Sequence, residues 1–300
     1  MEEKDIGALH LELGARFDYV NTVPAEEDSD SQIGAIRERA FDALSSSVSA
    51  IYDLGEGFFT GTTLMHSFRA PSQEELYSEG PHLASYSYEV GNPDLDPERG
   101  LGKELFVRYQ TSTATAELSL YHNSFDSYIY PRNTGRPSLP RFPSLNIYQF
   151  TGVDAVFQGF EVSSQVQVLD YWALTGSVSY THARGKVDET DESQWQPLPL
   201  IPPLKGTTGI TYAKGGIQVG TKVRFTAEQT RTGEFETPTD GYAIIDLIGQ
   251  YRFQSGSLLH TFSLNVENLF NTTYRSHMSR IKEITPEPGI GASLLYRLYF

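Results

Sequence analysis

The feature that most constrains this chain is a hydrophobic alternation of period two, repeated along its length. In the last stretch the even positions Ile290, Ala292, Leu294, Tyr296, Leu298 and Phe300 are all apolar. Between them stand Gly291, Ser293, Leu295, Arg297 and Tyr299, mostly small, polar or amphipathic. Successive side chains of a strand point to opposite faces, so the pattern predicts a β-strand with one apolar and one wetter face. It returns roughly every 25 residues. Residues 7–19 alternate Leu9, Leu11, Leu13, Ala15, Phe17 and Tyr19 with His10, Glu12, Arg16 and Asp18. Further strands are expected over residues 37–52, up to 68, 101–109, 113–130, 147–168, 172–181, 205–212, 217–227, 242–253 and 258–268.

These are about twelve strands joined as antiparallel neighbours, with connections that alternate in length. Short turns such as Asp53-Leu54-Gly55-Glu56 and Ala213-Lys214-Gly215-Gly216 fall at one end. Long polar segments, 69–100, 131–146, 186–203 and 271–288, fall at the other. Pro71 and Ser72 predict a short helix through Leu76 inside the first of them. Aromatics gather towards both ends of the strands. Tyr52, Phe58, Tyr171, Trp172, Tyr212, Tyr251, Phe253 and Phe300 stand near the short turns. Tyr19, Phe68, Tyr128, Phe225, Tyr242, Phe270 and Tyr274 stand near the long loops. Short turns, long loops, alternating strands and two aromatic girdles predict an all-β, transmembrane, antiparallel up-and-down β-barrel. A soluble β-barrel with its apolar face inward is the competitor; small residues on that face, such as Ala114, Ala116, Gly176 and Ala292, argue against it.

Composition removes other classes. There is no cysteine, so no disulfide framework and no thiolate metal site. The formal charge of −15 argues against a phosphate backbone as partner, so no nucleic acid is expected. No apolar run is long enough for a transmembrane helix. No Ser/His/Asp arrangement, phosphate-binding glycine loop or paired-carboxylate spacing suggests an enzyme. The opening residues show no signal peptide and read as strand almost at once, as in a piece of a longer protein.

Several motifs then point one way. Phe68-Arg69-Ala70-Pro71, Glu74-Glu75-Leu76-Tyr77, Gly91-Asn92-Pro93-Asp94-Leu95-Asp96-Pro97-Glu98 and Glu104 follow in order. After them come Gly159-Phe160-Glu161, Leu200-Ile201-Pro202-Pro203, and Asn265-Val266-Glu267-Asn268-Leu269-Phe270-Asn271 with Tyr274. With the terminal aromatic Phe300, this run resembles the carboxy-terminal half of the barrel of TonB-dependent outer-membrane receptors. The resemblance covers essentially residues 1–300. It implies a partial barrel of a 22-stranded type, with the plug domain and first strands absent. Arg69, Pro71, Asn92, Pro93, Glu98, Asn268 and Phe300 are its motif residues. Asn92, Pro93, Asn268 and Asn271 are expected to shape loops.

A finer resemblance is to the zinc-uptake receptors of that family. It rests on Gly80-Pro81-His82, Ala84, Tyr88-Glu89-Val90-Gly91, Asp154-Ala155, His277, Ser279, Lys282, Pro286 and Pro288-Gly289. Gly289-Ile290 departs from it, where an arginine and an asparagine are usual. The resemblance implies energised uptake of a zinc-like metal ion, or of a metal complex such as an iron siderophore. It implies outer-membrane lipid, the TonB protein acting through the plug, and the barrel assembly machinery as partners. His82, with Glu79 and Glu89 in one loop, and His277 are candidate ligand groups, since imidazole and carboxylate suit zinc. His10, His66, His122, His182 and His260 read as wall residues, and the acidic run Glu26 to Asp30 as a solvated loop. A self-closing passive pore or adhesin is the alternative if the strands close alone.

Overall fold

The computed structural model describes residues 1–29, 31, 33–138, 142–187 and 194–300, without the side chain of Pro143. Asp30 and part of the 131–146 and 186–203 segments lie outside the described residues. The strands are β1 (Glu2–Ile6), β2 (Leu9–Thr22), β3 (Arg39–Gly55), β4 (Phe58–Arg69), β5 (Glu79–His82), β6 (Ser87–Val90), β7 (Glu98–Gln110) and β8 (Ala114–Ser138). They continue as β9 (Phe142–Leu169), β10 (Trp172–Gly185), β11 (Gln196–Pro197), β12 (Lys205–Lys214), β13 (Ile217–Thr226), β14 (Tyr242–Ser255), β15 (Leu258–Glu267) and β16 (Gly291–Tyr299). Among the described residues one α-helix, α1 (Gln73–Tyr77), starts at Ser72 with a capping box closed by Glu75.

One antiparallel sheet runs in chain order from β1 to β16, with the short β5, β6 and β11 off its path. Among the described residues β1 and β16 do not pair, so the sheet is an open part of a barrel wall. The twelve expected strands are present and three expectations are corrected. A strand, β1, precedes the first of them, turning at Gly7, whose φ of 64° suits a glycine. The expected loop over 131–146 is strand in its described residues, 131–138 and 142–146, because β8 and β9 run on as a paired ribbon well beyond the membrane-length segment. The 69–100 segment holds the expected helix α1, and beside it an unexpected β5–β6 hairpin, whose β6 pairs in parallel with β9.

Register explains which face meets lipid. Leu13, Val48 and Leu64 are direct neighbours across β2 to β4. Leu105, Leu120 and Phe160 are neighbours across β7 to β9, and Tyr251, Phe262 and Tyr296 across β14 to β16. All of these but the half-buried Phe160 are exposed, an apolar face that suits lipid and not water. At the short-turn end Phe58 meets Tyr109 at 4.6 Å, Trp172 meets Tyr212 at 5.0 Å, and Phe253 stacks on His260 at 4.7 Å. Tyr128 leaves its expected girdle place and packs on Phe125 and Phe157, at 5.7 and 4.9 Å.

The buried apolar clusters lie among the long loops. One joins Phe41, Leu76, Leu95, Ile129 and Phe150; the other joins Tyr130, Ala155, Ala183, Val187 and Leu198. A roof of loops thus packs on one end of the wall. Gly159 shows how tightly the wall itself is built. A Cβ there would stand 2.0 Å from the Tyr180 carbonyl and 2.6 Å from the Tyr121 hydroxyl, which crosses it to reach Thr181 Oγ1 at 2.7 Å.

Candidate functional site in the loop roof

The base of the roof is held by the motif residues. Arg69 Nε donates to Glu98 at 2.6 Å and its Nη1 to Glu75 at 2.8 Å, tying β4, α1 and β7 together. The second oxygen of Glu98 accepts the Ile129 amide at 2.7 Å. Pro71 and Pro93 are buried, and the Asn92 side chain accepts the Asp94 amide at 2.9 Å. Arg39 donates to the carbonyls of Pro93 and Leu95. Asn268, at φ 50° and almost fully buried, accepts the Thr272 amide and donates to the Thr272 and Pro288 carbonyls. These residues shape loops, as expected for Asn92, Pro93 and Asn268. Phe300 is fully exposed at the end of the wall.

Above that base the β5–β6 hairpin carries His82 and Glu89. His82 Nδ1 lies 2.7 Å from Ser85 Oγ and 3.3 Å from Glu89 Oε1. The same carboxylate oxygen accepts from Ser87 Oγ at 3.1 Å and from Arg280 Nη1 at 2.9 Å. His82 is 60% exposed, so its imidazole is open to an arriving ligand. Glu79 is exposed on the same hairpin, opposite Val90 in the register.

His277 belongs to a second cluster. It is buried, with Nδ1 3.0 Å from Thr239 Oγ1 and Nε2 3.1 Å from Glu236 Oε1. Lys282, also buried, donates to Glu236 at 3.0 Å and to the His277 carbonyl at 3.2 Å. Glu236 further accepts the amides of Leu200 and Gly233, each at 3.0 Å. Burial by itself raises the Glu236 carboxyl. The hydrogen bonds from His277, Gly233, Lys282 and Leu200 outweigh that and bring it down to about 2. One carboxylate therefore pins three loops together.

The clusters meet along the loop that precedes β16. Arg280 stands three residues beyond His277 and lies over the Tyr148 ring at 5.2 Å. Between them is a cavity of about 90 Å³ lined by Asn133, Tyr148, Leu200, Glu236, Arg280 and Lys282 among others. Among the described residues no three His, Asp or Glu side chains gather to hold an ion. Of the expected ligand groups the fold brings together His82 and Glu89, and it gives His277 different partners. Glu236, Arg280 and Tyr148 carried no signal in the sequence, because their partners are distant in the chain.

Comparison with known proteins fits this architecture. The family model "TonB dependent receptor-like, beta-barrel" matches residues 3–269. The metal-pseudopaline receptor CntO of Pseudomonas aeruginosa is 27% identical over 244 residues, covering 74% of this chain and 32% of that protein. An iron-regulated outer membrane virulence protein of Vibrio cholerae is 28% identical over 124 residues, 40% of this chain and 19% of that protein. The chain thus spans at most about a third of the length of these curated relatives. Among solved structures, the copper transporter OprC superposes with a TM-score of 0.78 at 23% identity, over 98% of this chain and 45% of that one. The FrpB iron transporter of Neisseria meningitidis gives 0.70 at 14%, over 99% and 44%. The chain belongs to the TonB-dependent receptors of the outer membrane, and its strands are part of their β-barrel.

Proposed function

We propose that the complete receptor imports a metal, carried as an ion or in a complex, and that His82 and Glu89 belong to its surface binding site. Uptake is energised by the TonB protein pulling on a plug that lies outside this chain. The observation that carries the reading is the exposed imidazole of His82, held 3.3 Å from the Glu89 carboxylate under an arginine-bearing loop. Two donors are too few for a bare ion, which usually takes four protein or water ligands as zinc. A metal that arrives with its own donors needs fewer, and Arg280 beside the site suits an anionic chelate such as a siderophore. The names of the relatives, which include a metal-pseudopaline receptor and a copper transporter, support a metal cargo. Glu79 stands beside the site on the same hairpin, and His277 holds the loop that bears Arg280.

Zinc remains the second reading, favoured by the imidazole–carboxylate pair and the Gly80-Pro81-His82 motif. In that case further donors come from the plug. The test is growth of cells whose only route for the metal is the complete receptor, with His82→Ala against the parent. Impaired growth on limiting zinc, and normal growth on excess zinc, supports zinc. Impaired growth on a limiting ferric siderophore, with zinc use unchanged, supports the chelate. Normal growth of His82→Ala on every limiting metal source removes the site assignment.

A further inference from the structure

The Glu89 carboxylate is engaged by a cation on the oxygen that faces His82. Its Oε1 accepts from Arg280 Nη1 at 2.9 Å, from Ser87 Oγ at 3.1 Å and from Ser85 Oγ at 3.3 Å. The same oxygen lies 3.3 Å from His82 Nδ1. Two ligands of a tetrahedral zinc also stand about 3.3 Å apart, so the pair needs little rearrangement to hold a metal. A carboxylate oxygen offers about two lone pairs, so a metal at Oε1 takes a place that a donor holds. The serines are neutral and can turn their hydrogens elsewhere. Arg280 is a permanent cation, and a metal ion would face it across a single oxygen atom. With the two side chains only 20% and 16% exposed, water screens that repulsion poorly.

Arg280 is also kept from leaving. His277, three residues before it, and Lys282, two residues after it, are both buried on Glu236, so the loop is fastened on either side. Tyr148 is the neighbour of Glu89 in the β6–β9 register, and the guanidinium lies over its ring at 5.2 Å. The side chain can re-aim its donors while its charge stays beside the site. Other carboxylates of the adjoining cavity have partners of their own. Glu234 is matched by Arg132 at 2.9 Å and Glu236 by Lys282 at 3.0 Å, while Glu283 accepts from Thr237 Oγ1 at 2.7 Å. The balance next to His82 is therefore set by Glu89 and Arg280, one charge of each sign.

That balance treats two forms of a metal differently. A bare dication meets a carboxylate whose charge is cancelled, and a fixed cation behind it. An anionic chelate brings the missing negative charge. Its metal takes the Glu89 oxygen and the His82 nitrogen, and the guanidinium turns to an oxygen of the chelate. Arginine carries five N–H donors in a planar fork suited to carboxylate, so it can make that exchange without leaving Tyr148.

We propose that Arg280 sets the cargo specificity of this site, turning away the bare dication and admitting metal held in an anionic chelate. This rests on His82 and Glu89 being the binding site. Selectivity between two related ligands commonly needs a repulsive element as well as an attractive one, and Arg280 supplies both.

The complete receptor, purified in mild detergent with a histidine-free tag, is titrated by calorimetry with zinc in three forms. These are the free ion, its anionic complex with nitrilotriacetate, and its cationic complex with tris(2-aminoethyl)amine, a chelator of the same tripodal shape. The parent should prefer the anionic complex. Arg280→Gln keeps a hydrogen-bond donor but no charge. It should bind free zinc about tenfold more tightly, the size of effect that groups next to a metal ligand have on affinity. It should bind the anionic complex about tenfold more weakly, as expected for a lost charge-assisted hydrogen bond. The cationic complex should follow the free ion. Arg280→Lys, which retains the charge, should keep the order of the parent. Heat-modifiable migration first confirms that each barrel is assembled; if Arg280→Gln does not assemble, the uncharged Arg280→Met takes its place. A hairpin merely loosened by the substitution weakens all three probes together, and that result overturns the proposal. Unchanged affinities overturn it too. His82→Ala separates this from the site itself: it should weaken free zinc and the anionic complex alike. If it weakens neither, the binding site lies elsewhere and the proposal falls with it. If it weakens both while Arg280→Gln moves them in the same direction, the site stands and Arg280 has no part in specificity.

Discussion

Arg280 Nη1 lies 2.9 Å from Glu89 Oε1, so the loop before the last strand is locked to a hairpin 191 residues earlier in the chain. Both side chains are largely shielded, at 20% and 16% exposure, which makes this a charge-assisted bond of some strength. Arg280→Ala is expected to cost about 1.5–3 kcal/mol in the local stability of the hairpin. Amide hydrogen exchange over residues 79–90 reads it directly: protection should fall there and stay unchanged in β12 and β13. Unchanged protection over 79–90 would show that the parallel pairing of β6 with β9 alone holds the hairpin.

The Glu236 node gives a pH dependence with a definite sign. Its carboxyl is held at about 2 against an ordinary 4.5, so the folded roof favours the charged form. The stabilisation is complete above about 4.5 and is lost as the pH falls towards about 2. Exchange over residues 227–241 and 271–288 should be flat from pH 7 to pH 5, after correction for intrinsic rates, and should accelerate below that. Glu236→Gln leaves Lys282 buried without its counter-charge. It should loosen the same segments at neutral pH by about 3 kcal/mol. Loosening of the variant that is no greater than that of the parent would contradict the clamp.

The two faces of the wall predict opposite responses to one substitution. Val162 pairs with Leu118 and Val178 on the outward face, and Gln165 lies opposite Thr115 and Thr175 on the other. Val162→Arg in the complete barrel should cost about 2–4 kcal/mol in folding into bilayers. Gln165→Arg should be nearly neutral. Equal costs would reverse or erase the assignment of faces.

Gly159→Ala tests the local fit of the wall. The added methyl meets the backbone carbonyl of Tyr180, which cannot rotate away, and overpacking of this kind costs about 1–3 kcal/mol. Gly176→Ala meets the Ser164 hydroxyl at 3.3 Å and the Thr207 carbonyl at an ordinary 4.0 Å, and should assemble normally. Heat-modifiable migration of the two variants gives the comparison.

The wall was legible in the sequence because β-barrel strands obey a short-range rule. Alternation in residues 9–19 or 290–300 states both the strand and its lipid face, and paired glycines such as Gly215-Gly216 state a tight turn. The extension of β8 and β9 beyond the membrane was not legible. Pro131, Asn133, Gly135 and Pro137 look like loop residues, and only pairing between the two strands keeps them extended. The roof was half legible. The motif carrying His82 and Glu89 is local, so its hairpin could be marked as a site. Glu236 gave no such sign, since its partners Leu200, His277 and Lys282 are brought to it by packing across three loops. His277 was noticed for its chemistry, but burial against Glu236 and Thr239 gives it a different place from His82.

Uptake of radiolabelled metal by cells carrying the complete receptor, with and without a working TonB protein, tests the account most directly. The label is supplied at limiting concentration, as the free ion and as its chelate. The account predicts accumulation that requires TonB and falls with His82→Ala, while surface expression of the barrel is unchanged. Accumulation at the same rate without TonB, or by these 300 residues alone, would contradict it and point to a passive pore.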